Sequence, residues 1–185
     1  MVWWLWVVIG IAVIVVLMFF YYYNRFVVLS NRIKNSLSQI DVQLKRRADL
    51  IPNLMESVKG YMKHEKSIMK SVNDARKALV GAKDLPSRVA ADLKLESFLG
   101  RLFAIAENYP DLKANTNFLE LQRELSTTED RIAYARQHYN DSILSYNNMI
   151  QSFPGNFFAG LYGRKAEEFI KVSEAEKKPV KVDFD

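Results

Sequence analysis

The chain has 185 residues, no cysteine, two histidines and a formal net charge of +5. This length suits one domain and an appendage. The lack of cysteine excludes disulfides, thiol catalysis and a lipoprotein anchor, and it fits a reducing compartment. Acidic residues are interspersed with the basic ones and no recognition motif occurs, so we expect no nucleic-acid partner.

The first predicted element is a transmembrane anchor over residues 1–24. The segment VWWLWVVIGIAVIVVLMFFYYY (2–23) has no charged residue. As a helix it rises about 33 Å, against about 30 Å for the hydrocarbon core of a bilayer. Tryptophans lie at one end and tyrosines at the other, as is typical of the two membrane–water interfaces. A cleaved signal peptide would need a basic start, a shorter apolar core and a small-residue cleavage site, and this segment has none of them.

The orientation of the anchor follows from the basic residues close to it. They occur only after the apolar segment, at Arg25, Arg32 and Lys34. The positive-inside rule therefore predicts a single-pass protein with its short N-terminus outside and its C-terminal domain in the cytoplasm.

A heptad pattern of apolar residues follows the anchor, with steps that alternate between four and three. Such a seam predicts helices that pack at shallow angles in a bundle or coiled coil. Its members are Phe26, Ser30, Ile33, Leu37, Ile40, Leu44, Arg47, Ile51, Leu54, Val58, Tyr61, Glu65, Ile68, Val72, Ala75 and Leu79. Three of them, Ser30, Arg47 and Glu65, are unusual in a core.

Pro52 interrupts this seam. A proline in a helix interior costs about 3 kcal/mol, whereas a proline in the first turn is tolerated. Asp49 could cap a helix that begins at Leu50. We therefore predict one helix to about Arg47 and a second from about Leu50 to Leu79; the alternative is a single helix with a kink at Pro52.

Two further helices are predicted. Asp84 or Ser87 begins the third, with Pro86 in its first turn, and it ends near Glu107. Its predicted inward residues are Val89, Leu93, Phe98, Leu102 and Ile105. The fourth follows a linker, NYPDLKAN, and ends at a proline–glycine stop signal. Its predicted seam consists of Phe118, Leu121, Leu125, Thr128, Ile132, Ala135, Tyr139, Ser142, Tyr146, Met149 and Phe153.

The predicted fold class is all-α, because no stretch alternates in the manner of a strand. A transmembrane helix (1–24) is followed by an elongated antiparallel four-helix bundle (25–156). Residues 157–185 are predicted as an apolar patch, which includes Phe157 and Phe158, and a charged tail that we expect to be mobile. The patch either folds back onto the end of the bundle or docks on a neighbouring subunit or the membrane surface.

No arrangement typical of catalysis occurs in the sequence. Neither His64 nor His138 follows a glutamate by three positions, as a di-iron carboxylate bundle requires. His64 and Glu65 begin the zinc-protease pattern, but Ile68 stands where its second histidine belongs. A phosphate-binding glycine loop and a nucleophile elbow are also missing. We predict no enzyme activity, no catalytic residue, no metal site and no cofactor.

Two charges in the seam need partners. An unpaired buried charge costs several kcal/mol. Glu65 could pair with Arg131 or Arg136, and Arg47 could either pair or extend to solvent at a helix end.

The dipeptide Tyr-Asn occurs twice on the fourth helix, at 139–140 and 146–147. A spacing of seven residues places both copies on one face. Tyrosine provides contact area and a hydroxyl, and asparagine provides a donor and an acceptor. We interpret the repeat as core layers rather than as a ligand site.

Two stretches resemble the signatures of the LemA family of bacterial membrane proteins. They are IDVQLKRRADLIPNLMESVKGYMKHE (40–65) and AENYPDLKANTNFLELQRELSTTEDRIAYARQHYNDSILSYNNMIQSFPGN (106–156). With the anchor, the resemblance extends to about residue 163. It implies one N-terminal transmembrane helix and an elongated four-helix bundle, in the bacterial cell membrane or an internal membrane derived from it. Some relatives are associated with magnetosome membranes, and the family lends no catalytic residues.

The leading functional hypothesis is a membrane-anchored, non-enzymatic helical scaffold or adaptor that self-assembles or docks on a membrane partner. The alternative is a sensor or accessory subunit that binds a peptide or small ligand and signals through its anchor. The expected partners are the membrane and either further copies of the chain or a membrane protein. The candidate structural or interface residues are Asp41, Arg46, Arg47, Asp49, Pro52, Glu65, Tyr139, Asn140, Tyr146, Asn147, Phe157 and Phe158.

Overall fold

The computed structural model describes residues 2–170. These residues form six helices: α1 (Trp3–Lys59), α2 (Lys66–Gly81), α3 (Leu85–Ala106), α4 (Pro110–Lys113), α5 (Thr116–Gln151) and α6 (Gly155–Leu161). No strand occurs within the described residues, and the all-α prediction is confirmed. The part of the predicted mobile tail that follows Ile170 lies outside the described residues.

The chain divides into two compact units. Unit 1 consists of residues 1–36 and 138–185, and unit 2 consists of residues 37–137. The buried apolar residues of unit 2 come from α1 to α5 and include Met62 in the turn between α1 and α2; those of unit 1 come from α1, α5 and α6. The predicted division into an anchor (1–24), a bundle (25–156) and a patch with a tail (157–185) stays a prediction.

α1 is a single helix, so the predicted break between Arg47 and Leu50 is wrong. Asp49 is an exposed residue within this helix and does not begin a new one. Pro52 lies in the helix interior. The break comes later, in the turn between Lys59 and the start of α2, so the second predicted helix loses its first sixteen residues to α1 and this turn.

Pro52 is tolerated because another side chain replaces the hydrogen bond that it removes. The N–H of residue 52 would donate to the carbonyl oxygen of Ala48, four residues earlier, and proline has no N–H. Nε of Arg76, on α2, donates to this oxygen over 2.8 Å. The proline therefore marks a contact between α1 and α2 rather than a helix boundary.

The predicted seam of α1 and α2 forms much of the core of unit 2. Its buried members there are Ile40, Leu44, Arg47, Ile51, Leu54, Val58, Ile68, Val72, Ala75 and Leu79. Tyr61 and Glu65 fall in the turn, where the heptad pattern has no helix to follow, and Tyr61 is exposed.

α3 begins as predicted but buries a different face. Asp84 caps it and proline stands in its first turn, yet only Leu102 of the five predicted inward residues is buried. The buried residues are Ala91, Asp92, Leu95, Leu99, Leu102 and Ala106. Asp92 lies on the buried face. An acidic residue is not expected in a core, so the sequence favoured the neighbouring face of α3.

The cap of α3 should make stability depend on pH. Ser87 N–H donates to Asp84 Oδ1 over 2.9 Å, and this backbone hydrogen bond lowers the pKa of Asp84 below its ordinary value of 3.8. A lowered pKa contributes stability above the unfolded-state value, and this contribution is lost as pH falls through the folded-state value. We expect Asp84→Ala to lower the urea midpoint more at about pH 7 than at about pH 3. Asp84→Asn, which keeps the cap without a titrating group, is the control; equal losses for Asp84→Ala at both pH values would contradict this assignment.

The end of α5 and the start of α6 follow close upon each other. The glycine predicted as a stop signal, Gly155, is the first residue of α6 and is buried. A Cβ at this position would lie 2.2 Å from the carbonyl oxygen of Met149, so only glycine fits. The predicted linker before α5 also contains structure, because Pro110–Lys113 form α4.

The first part of α1 is long and apolar enough to cross a membrane, and it alone meets this criterion among the described helices. Residues 2–17 are exposed throughout. Further along, α1 packs against α5 and α6 within unit 1. The apolar cluster at this point consists of Phe26, Leu29, Tyr146, Phe158 and Ala159.

Candidate functional site

Arg47 is buried in unit 2 and bound to carboxylates of two other helices. It is 1% exposed, and Asp92 is 2% exposed. Nη1 of Arg47 donates to Oδ1 of Asp92 over 2.8 Å. Nη1 also lies 3.9 Å from Glu96 Oε2, and Nη2 lies 3.7 Å from Glu129 Oε2. The interpretation in which Arg47 extends to solvent is therefore wrong.

The charges around Arg47 affect one another. Burial raises the pKa of Glu96, and the carboxylates of Glu129 and Asp92 act in the same direction, whereas Arg47 opposes them. Water is nearly excluded from the Arg47–Asp92 pair, and the pair joins α1 to α3. Such a contact orders the helices but leaves no open position for a substrate.

The other charged signature residues lie at more exposed contacts. Asp41 forms a salt bridge with Arg88, and Arg46 forms one with Glu124 at 2.7 Å. Both pairs link helices of unit 2. Exposed pairs of this kind contribute about 0–1 kcal/mol to stability.

The histidines and Glu65 have separate surroundings. His64 is exposed in the turn before α2, and Nδ1 of His138 lies 2.9 Å from Oγ of buried Ser36. The hydroxyl of Tyr109 lies 3.4 Å from Oε1 of Glu65. Within residues 2–170 no group of three or more histidine or acidic side chains is placed to hold a metal ion.

The two Tyr-Asn dipeptides of α5 lie against the extended segment 164–170 in unit 1. Asn147 Nδ2 donates to the carbonyl oxygen of Glu167 over 2.8 Å, and Glu167 N–H donates to Asn147 Oδ1 over 2.9 Å. Asn140 forms the same pair of hydrogen bonds with Ile170, at 3.1 and 3.0 Å. Each asparagine thus binds both backbone groups of one residue, and we call the two together the asparagine clamp.

The tyrosines beside the clamp are buried. Burial raises the pKa of Tyr139, and the carboxylate of Glu167 adds to this effect. Burial also raises the pKa of Tyr146, where Arg164 acts in the opposite direction. The tyrosines therefore pack in the core, as the sequence predicted, while the asparagines bind an extended backbone, which it did not predict.

The apolar patch after α5 is divided between two environments. Phe158 is buried and its ring stacks on that of Tyr22, with 4.8 Å between the centroids. The hydroxyl of Tyr162 donates to the carbonyl oxygen of Phe19 over 2.7 Å. Phe157 remains exposed. The patch therefore folds back at Phe158, whereas Phe157 remains at the surface.

A groove of about 410 Å³ lies between α1 and α5 in unit 2. It is lined by Ser38, Gln39, Val42, Gln43, Asp130, Arg131, Tyr134 and Ala135. Val42 is 59% exposed and Tyr134 is 68% exposed, so both add apolar area to the surface of the groove. The groove combines apolar area, amides and charges of both signs.

Comparison with known families decides the classification. The model of the LemA family matches residues 36–184. The chain belongs to the LemA family. This match covers both signature stretches, so the resemblance found in the sequence is confirmed.

Similar proteins include one named LemA and others named MamQ. Protein LemA of Metamycoplasma hominis is 30% identical over 148 residues, which cover 80% of this chain and 68% of that protein. Magnetosome protein MamQ 2 of Paramagnetospirillum magneticum is 28% identical over 183 residues, with coverages of 85% and 67%. Magnetosome protein MamQ of Magnetospirillum gryphiswaldense is 27% identical with the same coverages. These relatives and the apolar part of α1 together indicate a membrane location for this LemA-family chain.

Several residues of these contacts were missed by sequence analysis. Asp92 is one of them. It lies three residues before Leu95, and Leu99 follows Leu95 by four residues on the same face. The buried Arg47 needs a partner of opposite charge, so the two signals together could have identified Asp92. Arg76 is another, and a proline in a seam signals that the carbonyl four residues earlier needs a donor. For the segment held by the clamp, the sequence carries no signal beyond the repeated asparagine.

Proposed function

We infer that this LemA-family chain is a membrane-anchored, non-enzymatic scaffold whose copies associate laterally through the groove of unit 2. The predicted orientation, with the C-terminal domain in the cytoplasm of the bacterial cell membrane or beside an internal membrane derived from it, belongs to this proposal. So does the antiparallel four-helix arrangement of the long helices. The names of the relatives, LemA and MamQ, do not name enzymes.

The observation that carries the proposal is the composition of the groove. A two-fold contact requires one patch that is complementary to itself. Asp130 and Arg131 supply opposite charges within one patch, and Val42 and Tyr134 supply exposed apolar area beside them. A second copy turned by a two-fold axis could therefore place Arg131 against Asp130 and bury both apolar side chains.

The anchor favours this association without making any contact of its own at the interface. Chains held in one membrane meet at a raised effective concentration, so a weak lateral contact suffices for assembly. The contact is expected to be lost when the chain is diluted in detergent.

Cysteine cross-linking tests this association, since the natural chain has no thiol. We expect Val42→Cys and Tyr134→Cys each to give a dimer with a short bis-maleimide in native membranes, because the groove brings equivalent residues together. Ser97→Cys, exposed on α3 of the same unit, is the control and should give several times less dimer. Equal yields at all three positions would contradict self-association through this groove.

A further inference from the structure

The asparagine clamp fits an extended backbone by its spacing. Asn140 and Asn147 are seven residues apart, which is about 10.5 Å along a helix. The residues that they bind, Glu167 and Ile170, are three apart, which is about 10 Å along an extended chain. One heptad step on a helix therefore matches three residues of an extended peptide, and each asparagine can meet a backbone without strain.

The chemistry of the clamp does not depend on the side chains of the bound segment. Each asparagine donates to one carbonyl oxygen and accepts from the N–H of the same residue. This is the exchange that a hydrogen-bonded pair makes in an antiparallel sheet. Among neutral side chains only asparagine and glutamine carry a donor and an acceptor in this arrangement. Any extended segment with an N–H at both paired positions fits, and proline at either position does not.

The segment now in the clamp is anchored at its first residue, where the N–H of Arg164 donates to the carbonyl oxygen of Ala159 over 2.9 Å. Beyond Arg164 its side chains are mostly exposed. Residues 165–169 are exposed, including Phe169, its largest apolar side chain. Asn147, by contrast, is buried, and so are Tyr139 and Tyr146 beneath the segment. Segments with few buried apolar contacts open at low free energy. The surface of α5 thus binds the backbone of residues 165–170, while the side chains of this stretch make few buried apolar contacts.

We propose that the asparagine clamp is a binding site for an extended peptide segment of a partner protein, and that residues 165–170 are a resident segment which this partner replaces. The partner is recognised by its extended, proline-free backbone at two positions three residues apart. This site lies in unit 1 and does not depend on the groove of unit 2. It gives the peptide-binding alternative a defined location on the chain.

A peptide-binding experiment on the full chain tests the proposal. The probe is a fluorescein-labelled peptide of the chain's own sequence YGRKAEEFI (162–170). Glu167→Pro with Ile170→Pro removes both N–H donors of the resident segment and leaves the clamp itself intact. In detergent micelles we expect this opened chain to bind the probe with a Kd at least about tenfold lower than the natural chain, because the tethered segment no longer competes.

Matched variants show whether the clamp is responsible. Asn140→Ala in the opened chain should weaken binding of the probe at least about tenfold, since two of the four hydrogen bonds are lost. A probe with proline at the positions of Glu167 and Ile170 should not bind. The proposal is overturned if the opened chain does not bind the probe, or if it binds both probes equally.

A second measurement covers the case in which the double proline variant does not fold. Ile170→Pro alone opens one half of the clamp and should give a smaller gain in probe binding. In the otherwise natural chain, Asn140→Ala should speed hydrogen exchange at the N–H of Ile170 and leave that of Glu167 nearly unchanged. Equal exchange rates with and without Asn140 would sink the proposal, since the clamp would then hold nothing in solution.

Discussion

Arg47→Met is expected to lower the free energy of unfolding by about 3–5 kcal/mol. The substitution leaves the carboxylate of Asp92 buried without the guanidinium that lies 2.8 Å from it. Methionine fills most of the volume, so the loss is electrostatic rather than a cavity effect. Urea unfolding of the full chain in mild detergent, followed by helical circular dichroism, measures it.

The neighbouring residue provides a matched control. Arg46 is also paired with a glutamate, but both side chains are largely exposed. Arg46→Met should therefore cost only about 0–1 kcal/mol. Arg47→Met combined with Asp92→Leu should recover most of the loss, because an apolar pair can replace a buried ion pair. Equal effects of the Arg46 and Arg47 substitutions would show that the buried pair has no special role.

Arg76→Ala is expected to destabilise the chain by about 1–3 kcal/mol, the cost of a buried carbonyl oxygen left without a donor. Arg76 donates to Ala48 only because Pro52 cannot. In a Pro52→Ala chain the backbone N–H of residue 52 returns, so the same Arg76→Ala substitution should cost clearly less. The four unfolding free energies form a double-mutant cycle.

The control for this cycle is Lys77→Ala, an exposed position beside Arg76 on α2. Its effect should be small in both backgrounds. If Arg76→Ala cost the same with Pro52 and with Ala at position 52, the arginine would stabilise α2 by another contact, and the explanation of the interior proline would fail.

The sequence predicts this fold well wherever burial follows a regular period. Most members of the seams of α1, α2 and α5 lie on buried faces, because a heptad spacing of apolar residues has few other interpretations. Phe153 is an exception: it follows the end of α5 and is 87% exposed. Asp84 is one of the two caps predicted for α3, and the structure shows that it is the cap. The resemblance to the LemA family rests on two long stretches and is confirmed.

The failures share a physical cause. Pro52 looks like a helix boundary because its missing N–H is local, whereas the donor that compensates for it, Arg76, is distant in the sequence. Asp92 looks like a surface residue because its partner, Arg47, lies on another helix. The Tyr-Asn repeat was assigned to the core, and its asparagines instead bind a segment 20 to 30 residues further along the chain. In each case the deciding contact is one that local periodicity does not contain.

The buried pair of Arg47 and Asp92 also restricts how α1 and α3 can be aligned. A seam of leucines and isoleucines packs almost as well after one helix slides by seven residues, about 10.5 Å. After such a slide the guanidinium would face apolar side chains, and the carboxylate would be stranded elsewhere. Because the seam contains this buried ion pair at one position only, the pair disfavours every other register of α1 against α3, whatever its net contribution to stability.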